Sequence, residues 1–340
     1  MTRQQNIILQ PESSYALHRQ VKLGQYDFPF TLNPTMGCFF VCKYCYSPWV
    51  AYGWNPDRKE RFFETIHIKL DKPQHLSKEL QRYASLPVHM KRVQINETSE
   101  YYLPQLLRHL KDHNQPDLML RILDEFDKAW QGGNRWMLHI LTKSHLILNH
   151  LDKLKQMKHM VQIEVSFATC DENIRNQIEY YTPSIKRRLE LIETLAKEGI
   201  FVRVMAMPFY GRRKDLIILK KEAFKRGAKA FKNKGLNYYS WNDLIQVRTY
   251  DQFINGKIPR SKGRLDEKDE SLIIKSGENV LVKGKPVRRS VMFPIVDADF
   301  RSELDWSAMG KFDERFKRKS MKVINSGYAD CNNEKWGYIL

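Results

Sequence analysis

Three cysteines fall within eight residues, as Cys38-Phe-Phe-Val-Cys42-Lys-Tyr-Cys45, and no other feature of the chain narrows its chemistry as far. There are five cysteines in all, and the other two, Cys170 and Cys331, stand alone. An odd total with a clustered trio does not suit a disulfide framework, which favours an even, dispersed set in small secreted domains. Thiolates at this spacing read as metal ligands, most naturally of an iron–sulfur cluster. Three ligands on a four-iron cube leave one iron without a protein ligand. Structural zinc is the competing reading, but it needs a fourth ligand and usually a second half-site. Neither His18 nor His67 has the spacing to supply one. Gly37 lets the chain turn sharply into the cysteine loop.

The residues around the trio alternate between strand-like and helix-like segments, which points to parallel strands joined by helices. The strands expected are Phe28–Asn33, Arg92–Asn96, Trp136–Thr142, Val161–Ala168, Ile200–Pro208 and Leu236–Trp241. Helices are expected over Gln74–Ser85, Asp117–Gln131 and His145–Met157. A further helix is capped by Thr182 with Pro183 at its first position, repeats Ile185, Leu189, Ile192 and Leu195 on one face, and stops at Gly199. Six such units are too few for a closed eight-fold barrel and fit an α/β partial (βα)6 TIM-like barrel over residues 28–241, after an N-terminal segment 1–27. Residues 242–340 change character. Gly256, Pro259, Gly263, Gly277, Gly284 and Pro286 punctuate short strand-like runs such as Ser271–Lys275 and Asn279–Lys283. This reads as a C-terminal α+β extension, placed to contact nucleic acid or substrate.

The 340-residue chain carries 57 basic and 39 acidic residues, a net +18. Such a field favours a polyanionic partner, with general solubility as the plain alternative. The excess is concentrated in residues 212–234, read as one helix with ten basic and two acidic residues, a local +8. Its Arg212, Arg213, Lys214, Lys221 and Lys225, with Arg288 and Arg289 after the turn at Gly284–Pro286, are candidate nucleic-acid contacts. A second basic run is Arg315–Lys322, and Tyr238, Tyr239 and Trp241 could stack a base. No stretch of 18 apolar residues occurs and the N-terminus lacks a signal core, so no membrane span and a cytoplasmic location are expected.

Several local motifs together resemble a known family. The C-x3-C-x2-C loop resembles the radical S-adenosylmethionine (SAM) superfamily, and its surroundings resemble the spore photoproduct lyase-like branch. The supporting residues are Asn33-Pro-x-x-Gly37-Cys38, Tyr44-Cys45-Tyr46, Leu141-Thr-Lys-Ser144, Glu179-x-x-Thr182-Pro-Ser184-x-x-Arg187, and Ala196-x-x-Gly199 followed by a strand ending Ala206-Met-Pro208. The resemblance spans residues 30–241. It implies a barrel of the radical SAM type whose [4Fe–4S] cluster sits on Cys38, Cys42 and Cys45, at the C-terminal ends of the strands. SAM would bind the open iron, and its reductive cleavage would give a 5′-deoxyadenosyl radical that abstracts hydrogen from a substrate. An external electron donor such as flavodoxin or ferredoxin is implied with it.

Roles follow position by position from that resemblance. Lys143 resembles a lysine on the SAM carboxylate, Ser166 a serine with a similar task, and Ala206 a position near the adenine. Ser99, in Thr98-Ser99-Glu100, resembles the Thr-Ser-Asp stretch of the lyases. Tyr44 and Tyr46 resemble tyrosines of a hydrogen-atom relay, with Tyr46 also beside the cofactor; aromatic packing around the cluster is the alternative. The resemblance breaks at Glu97, where the lyases carry a hydrogen-donating cysteine. A carboxylate offers a carbon radical no weak bond to hydrogen, and Glu97 is instead a candidate for the SAM ammonium. Cys170, after the fourth strand, is a candidate hydrogen donor or substrate contact, or else a small buried hydrophobe. The function expected is DNA repair or base modification, as a lyase or a modification enzyme, with DNA favoured over RNA. A peptide or metabolite substrate, or a scaffold role, stays open.

Overall fold

Runs that alternate apolar and polar residues become strands, and the chain pairs them mostly in parallel. In this computed structural model, which describes residues 5–10, 15–19, 29–42, 44–45, 47–48, 61–86, 91–211, 213–233, 279–282 and 285–288, the elements begin with β1 (Asn6–Gln10), β2 (His18–Arg19), β3 (Phe30–Leu32) and β4 (Thr35–Met36). A short helix α1 (Arg61–Glu64) leads into β5 (Thr65–Lys69) and α2 (Lys72–Arg82). Then come β6 (Arg92–Ile95), α3 (Pro104–Asp112), α4 (Leu118–Gln131) and β7 (Met137–Thr142). A 3-10 turn at His145–His150 runs into α5 (Leu151–Gln156), followed by β8 (Val161–Ser166), α6 (Glu172–Ile178) and α7 (Ile185–Lys197). The barrel part ends with β9 (Phe201–Ala206), α8 (Arg213–Lys225) and β10 (Ala230–Asn233), and a hairpin of β11 (Asn279–Val282) and β12 (Lys285–Arg288) lies beyond it.

The main sheet has the order β10-β9-β8-β7-β6-β3-β2. Its first six strands in that order are parallel, and β2 adds an antiparallel edge to β3. This is the partial (βα)6 barrel. One face of its central strands is apolar and fully buried: Val93 and Ile95, Leu138 and Ile140, Ile163 and Val165, Val202 and Val204. These join helix residues such as Leu106, Ile122, Phe126, Leu189 and Ile192 in a single core. The other face is polar, and the register sets Gln94 beside His139 and Glu164 beside Arg203. Arg203 Nε donates to Glu164, and His139 Nδ1 lies 3.7 Å from the same carboxylate. Buried charge of this kind persists only when paired.

Five of the six expected barrel strands stand where the alternation puts them. The sixth does not: the strand beside β9 is Ala230–Asn233, whereas Leu236–Trp241 lies outside the described residues. The basic helix is correspondingly shorter than 212–234, since α8 stops at Lys225. Gly227 breaks it. Its φ is +95°, and a Cβ there would come within 2.6 Å of Ala196 Cβ, so the chain turns against α7 at a position only glycine fits. Lys229 and Lys232 therefore leave the helix, the second to join β10. The cap of α7 also shifts. Ser184, not Thr182, accepts from Arg187 N at 3.2 Å, while the Thr182 hydroxyl donates to Glu179 O at 2.8 Å. The expected helix over His145–Met157 begins as a 3-10 turn. A second sheet, β1-β5-β4, was not foreseen; β1 runs parallel to β5 and β4 antiparallel to it. Beyond the barrel, Asn279–Val282 pairs antiparallel with Lys285–Arg288, while Ser271–Lys275, Tyr238, Tyr239, Trp241 and Arg315–Lys322 lie outside the described residues. No helix among the described residues is long and apolar enough to cross a membrane.

Candidate active site

Parallel strands deliver their C-terminal loops to one end of the barrel, the end that carries chemistry in this architecture. The cysteine loop opens there, after β3 and β4. Cys38 N donates to Phe62 O at 2.9 Å, tying the first thiol to α1, and Cys45 N donates to Cys42 O at 3.0 Å, closing a tight turn under the other two. Gly37 enters the loop at φ +102°, where a Cβ would lie 2.1 Å from Thr65 O. Val41 sits at φ +50°, an unfavourable region for a β-branched residue, so the loop holds backbone strain between the first two thiols.

All three thiols are more reluctant to ionise than a free cysteine. Burial pushes Cys38 up to about 12, with Cys45 adding repulsion. Burial raises Cys42 well above the ordinary value and raises Cys45 as well, the Ser47 hydrogen bonds to Cys45 working the other way. The common opposing charge is the Lys143 ammonium, which acts on all three. Thiols that repel one another as anions, beside one half-buried cation, are a donor set that metal coordination would relieve, because a ligated thiol is held deprotonated. Among the described residues no three His, Cys, Asp or Glu side chains close around a single metal-ion position. A cube differs from a single ion in taking each thiolate on a separate iron, and the chemistry of this all-thiol donor set suits it.

Behind the loop lies a buried ionic network centred on Glu179, which is fully buried. Arg188 Nη2 reaches its Oε2 at 2.8 Å, Lys143 Nζ stands 3.8 Å from its Oε1, and the Tyr44 hydroxyl donates to the same Oε1. Burial alone would raise Glu179, but Arg188 and then Lys143 outweigh it and hold the carboxyl below its usual value. Burial likewise works to lower Lys143, and the Glu179 carboxylate, joined by Cys42 wherever that thiol is ionised, reverses this to a net rise, so the ammonium stays protonated. Its position over the Tyr44 ring, 5.7 Å from the centroid, ties the cation to the loop residue between Cys42 and Cys45. Tyr44 packs in turn on Tyr210, with ring centroids 5.8 Å apart.

The other predicted positions sit at strand ends. Glu97 follows β6 and is half-buried; burial pushes its carboxyl up to about 7 against a hydrogen bond from Thr31. Ser99 is buried and its hydroxyl is engaged with Thr35, donating to Thr35 O at 2.9 Å and accepting from Thr35 Oγ1 at 3.1 Å. Ser166 ends β8, where its carbonyl accepts from Arg188 Nη1 at 2.9 Å, and Ala206 ends β9, fully buried. Cys170 has partners of its own. Its Sγ donates to Asp215 O at 3.3 Å and borders a cleft of about 460 Å³ shared with Thr169, Asp171, Lys214 and Ile218. Burial, then Asp215, pushes this thiol up to about 11, so it stays protonated at neutral pH. Lys214, Lys221 and Lys225 are exposed along α8, and Arg213 opens that helix. Arg288 belongs to β12, while Tyr46, Arg212 and Arg289 lie outside the described residues.

Four residues of the site were not read from the sequence as functional. Glu179 and Arg188 form its ionic centre. Glu100, also buried, accepts from Thr142 Oγ1, Tyr102 N and Lys143 N at 2.9–3.0 Å and so fixes the strand end that aims Lys143. Asn96 sits at φ +64° beside Glu97, and both polar atoms of its buried amide lack a partner among the described residues. An unmet buried amide costs about 1–3 kcal/mol, and its NH2 and carbonyl leave both donor and acceptor capacity unused at this strand end. The signal for Arg188 was present: it falls on the face of α7 defined by Ile185, Leu189 and Ile192, where a charge needs a buried partner.

Residues 32–215 match the Radical SAM superfamily. An uncharacterized protein of Methanocaldococcus jannaschii is 25% identical over 237 residues, covering 68% of this chain and 77% of its own. An uncharacterized protein of Acidianus two-tailed virus is 26% identical over 185 residues, covering 53% of this chain and only 56% of its own. Among solved structures, a spore photoproduct lyase variant aligns with a TM-score of 0.51 at 14% identity, covering 77% of this chain and 68% of that one. A second lyase variant, with bound AdoMet and dinucleoside spore photoproduct, aligns with the same TM-score at 15% identity and the same coverage. At such identity the likeness is one of fold. The family match is of another order, since it runs through the thiol loop and over more than half of the chain, and on that ground the protein belongs to the Radical SAM superfamily, a class of enzymes that work with a [4Fe–4S] cluster and SAM.

Proposed function

We propose that Cys38, Cys42 and Cys45 hold the cluster and that the radical chemistry is directed at a nucleic acid, DNA before RNA, for repair or base modification. The observation that carries this is the Lys143 ammonium: it acts on all three thiols and stands 3.8 Å from Glu179 Oε1, while Glu100 accepts from the Lys143 backbone N and so fixes the strand end that bears it. When bound, the cluster supplies the electron that breaks a carbon–sulfur bond of SAM to release the 5′-deoxyadenosyl radical. The chain's own residues bind and orient. Lys143 meets the SAM carboxylate as a charge-assisted donor. Glu97, in its ionised form, meets the ammonium. Ser166 and Ala206 line the strand ends on which the nucleoside rests, and Ser99 acts through Thr35 by fixing the loop after β6 to β4. Tyr44 holds its phenolic proton toward Glu179, beside Tyr46 in the sequence. In this reading Cys170, protonated and bordering the cleft, offers hydrogen to a substrate radical.

The nucleic-acid reading draws on charge. The net +18 and the exposed Lys214, Lys221 and Lys225 favour a polyanion, with Arg212, Arg213, Arg288 and Arg289 as further contacts. A fold shared with a lyase whose structures hold a dinucleoside photoproduct points the same way. An external flavodoxin or ferredoxin would supply the electron. Anaerobic reconstitution with iron, sulfide and reductant tests the enzyme half: 5′-deoxyadenosine should form from SAM. Titration with an oligonucleotide tests the substrate half. Affinity should fall steeply as salt rises through the physiological range, and binding indifferent to salt would instead favour a metabolite or peptide.

A further inference from the structure

Tyr180 and Tyr181 are the two most exposed large hydrophobic residues among those described, at 65% and 55%. Scattered exposed aromatics need no explanation, but these two touch. Their ring centroids are 4.9 Å apart and the planes stand at 89°, so the rings make an L.

The loop that carries them is held from below. The buried Arg175 spends its Nη1 on three carbonyls of that loop, Glu179 O at 3.1 Å, Tyr180 O at 3.3 Å and Thr182 O at 2.9 Å. The Thr182 hydroxyl adds a bond to Glu179 O, and Glu172 Oε1 accepts from Ile185 N at 2.5 Å on the far side. A guanidinium removed from water to fix a surface loop makes sense only if the loop's shape matters. The loop is also joined to the site. It precedes α7, which returns antiparallel to the strands, and so it lies at their C-terminal end. Glu179, next to Tyr180, is the residue that meets Tyr44 and Lys143.

Cations follow the rings along the chain. Lys186 and Arg187 occupy the first turn of α7, which holds no acidic residue; the side chain of Lys186 is 84% exposed and stands 3.9 Å from Glu190 Oε1, a surface pair that costs little to open. Arg187 Nη1 contacts His145 Nε2 at 3.1 Å rather than a carboxylate. Burial, then Arg187, lowers the imidazole's basicity, so His145 is neutral and orients the guanidinium as an acceptor. Cationic side chains at the positive end of a helix cost some stability and leave positive potential toward solvent.

We propose that Tyr180 and Tyr181 form a stacking platform for an unpaired base at the rim of the active site, with Arg187 and Lys186 taking the adjoining phosphates. A planar base laid on one ring would meet the edge of the other, and such stacking tolerates any sequence. The inference rests on the nucleic-acid reading above and adds where an unstacked nucleotide is held. The test uses reconstituted holoenzyme and two fluorescent single strands of equal length, one with bases and one abasic. Tyr180→Leu/Tyr181→Leu should weaken binding of the base-bearing strand about 10-fold, as loss of a stacked base does. It should leave the abasic strand and uncoupled 5′-deoxyadenosine formation unchanged. Tyr180→Phe/Tyr181→Phe, which keeps the rings, should bind as wild type. Full affinity in the leucine variant overturns the platform while the nucleic-acid reading survives, and leaves the rings to a protein partner. If the wild type itself binds neither strand, the underlying reading fails instead.

Discussion

The Arg188 guanidinium lies 2.8 Å from the Glu179 carboxylate, with both side chains fully shielded from water, and it is this pair that fixes the acceptor shared by Tyr44 and Lys143. A buried pair is weak evidence of net stability, because its two desolvation costs offset most of the attraction. Its removal from one side is another matter. The pair therefore organises the site more than it strengthens the fold.

Glu179→Gln leaves Arg188 and Lys143 without their counter-charge, and breaking a buried pair in this way costs about 3–5 kcal/mol. Urea unfolding of the cluster-free protein should show that loss at pH 7. Because Arg188 holds the folded-state carboxyl below its ordinary value, the wild-type advantage is present above the unfolded glutamate pKa of about 4.3 and is lost as pH falls through the lower folded value. The two unfolding curves should converge in acid. A constant gap down to that range would mean that Glu179 contributes by shape, not charge.

Glu97 behaves in the opposite sense. Its folded-state value is raised to about 7, so its contribution to stability is complete below about 4.3, the unfolded value, and disappears as pH rises through 7. If its carboxylate receives the SAM ammonium, SAM affinity must rise over the same interval as the group ionises. From pH 6 to pH 8 the ionised fraction grows about tenfold, and the Kd of reconstituted enzyme for SAM should fall by about that factor. Glu97→Gln should flatten the profile. A variant that keeps the full pH dependence would move the ammonium site elsewhere.

How much of this was legible follows from whether a partner is near in sequence. Strands β3 and β6 to β9 announce themselves by alternation, and the trio by its spacing. The end of α8 did not, because the lysines after Lys225 continue a plausible helical face and only the approach of Gly227 to Ala196 across α7 stops it. The cap of α7 was read at Thr182 because that residue type caps well, yet its hydroxyl is already committed to Glu179 O. Tyr44 and Glu179 are 135 residues apart, so no local pattern joins them. Sheet β1-β5-β4 is hidden for the same reason: its strands pair across a long stretch of intervening chain.

The four described cysteines should separate cleanly on substitution. Cys38→Ala, Cys42→Ala and Cys45→Ala should each abolish the iron–sulfur absorbance and all 5′-deoxyadenosine formation after reconstitution. Cys170→Ala should keep both, since its partners are Asp215 and the cleft rather than the loop. If Cys170 offers hydrogen to the substrate radical, its alanine variant should still form 5′-deoxyadenosine with substrate present but release altered product. Loss of the cluster in that variant would place Cys170 among the ligands and undo the assignment.

Gly37→Ala tests whether the loop's backbone, as distinct from its thiols, is required. Residue 37 sits at φ +102°, and an added Cβ would lie 2.1 Å from Thr65 O and 3.1 Å from Ile66 Cα, both backbone atoms that no rotamer change can move. Alanine at such a φ costs about 1 kcal/mol or more, and the clash must shift either the loop or β5. Because Cys38 N is anchored to Phe62 O four residues before Ile66, any shift passes to the first thiol. The variant should lose at least 1–2 kcal/mol by urea unfolding, roughly the cost of a misfit at a special φ, and should take up markedly less iron at matched folded concentration. Gly227→Ala is the control, with its own clash of 2.6 Å against Ala196 but no link to the loop. It should lose stability and keep its iron. Equal iron uptake in both variants would mean that the thiols find the cluster without help from the turn at Gly37.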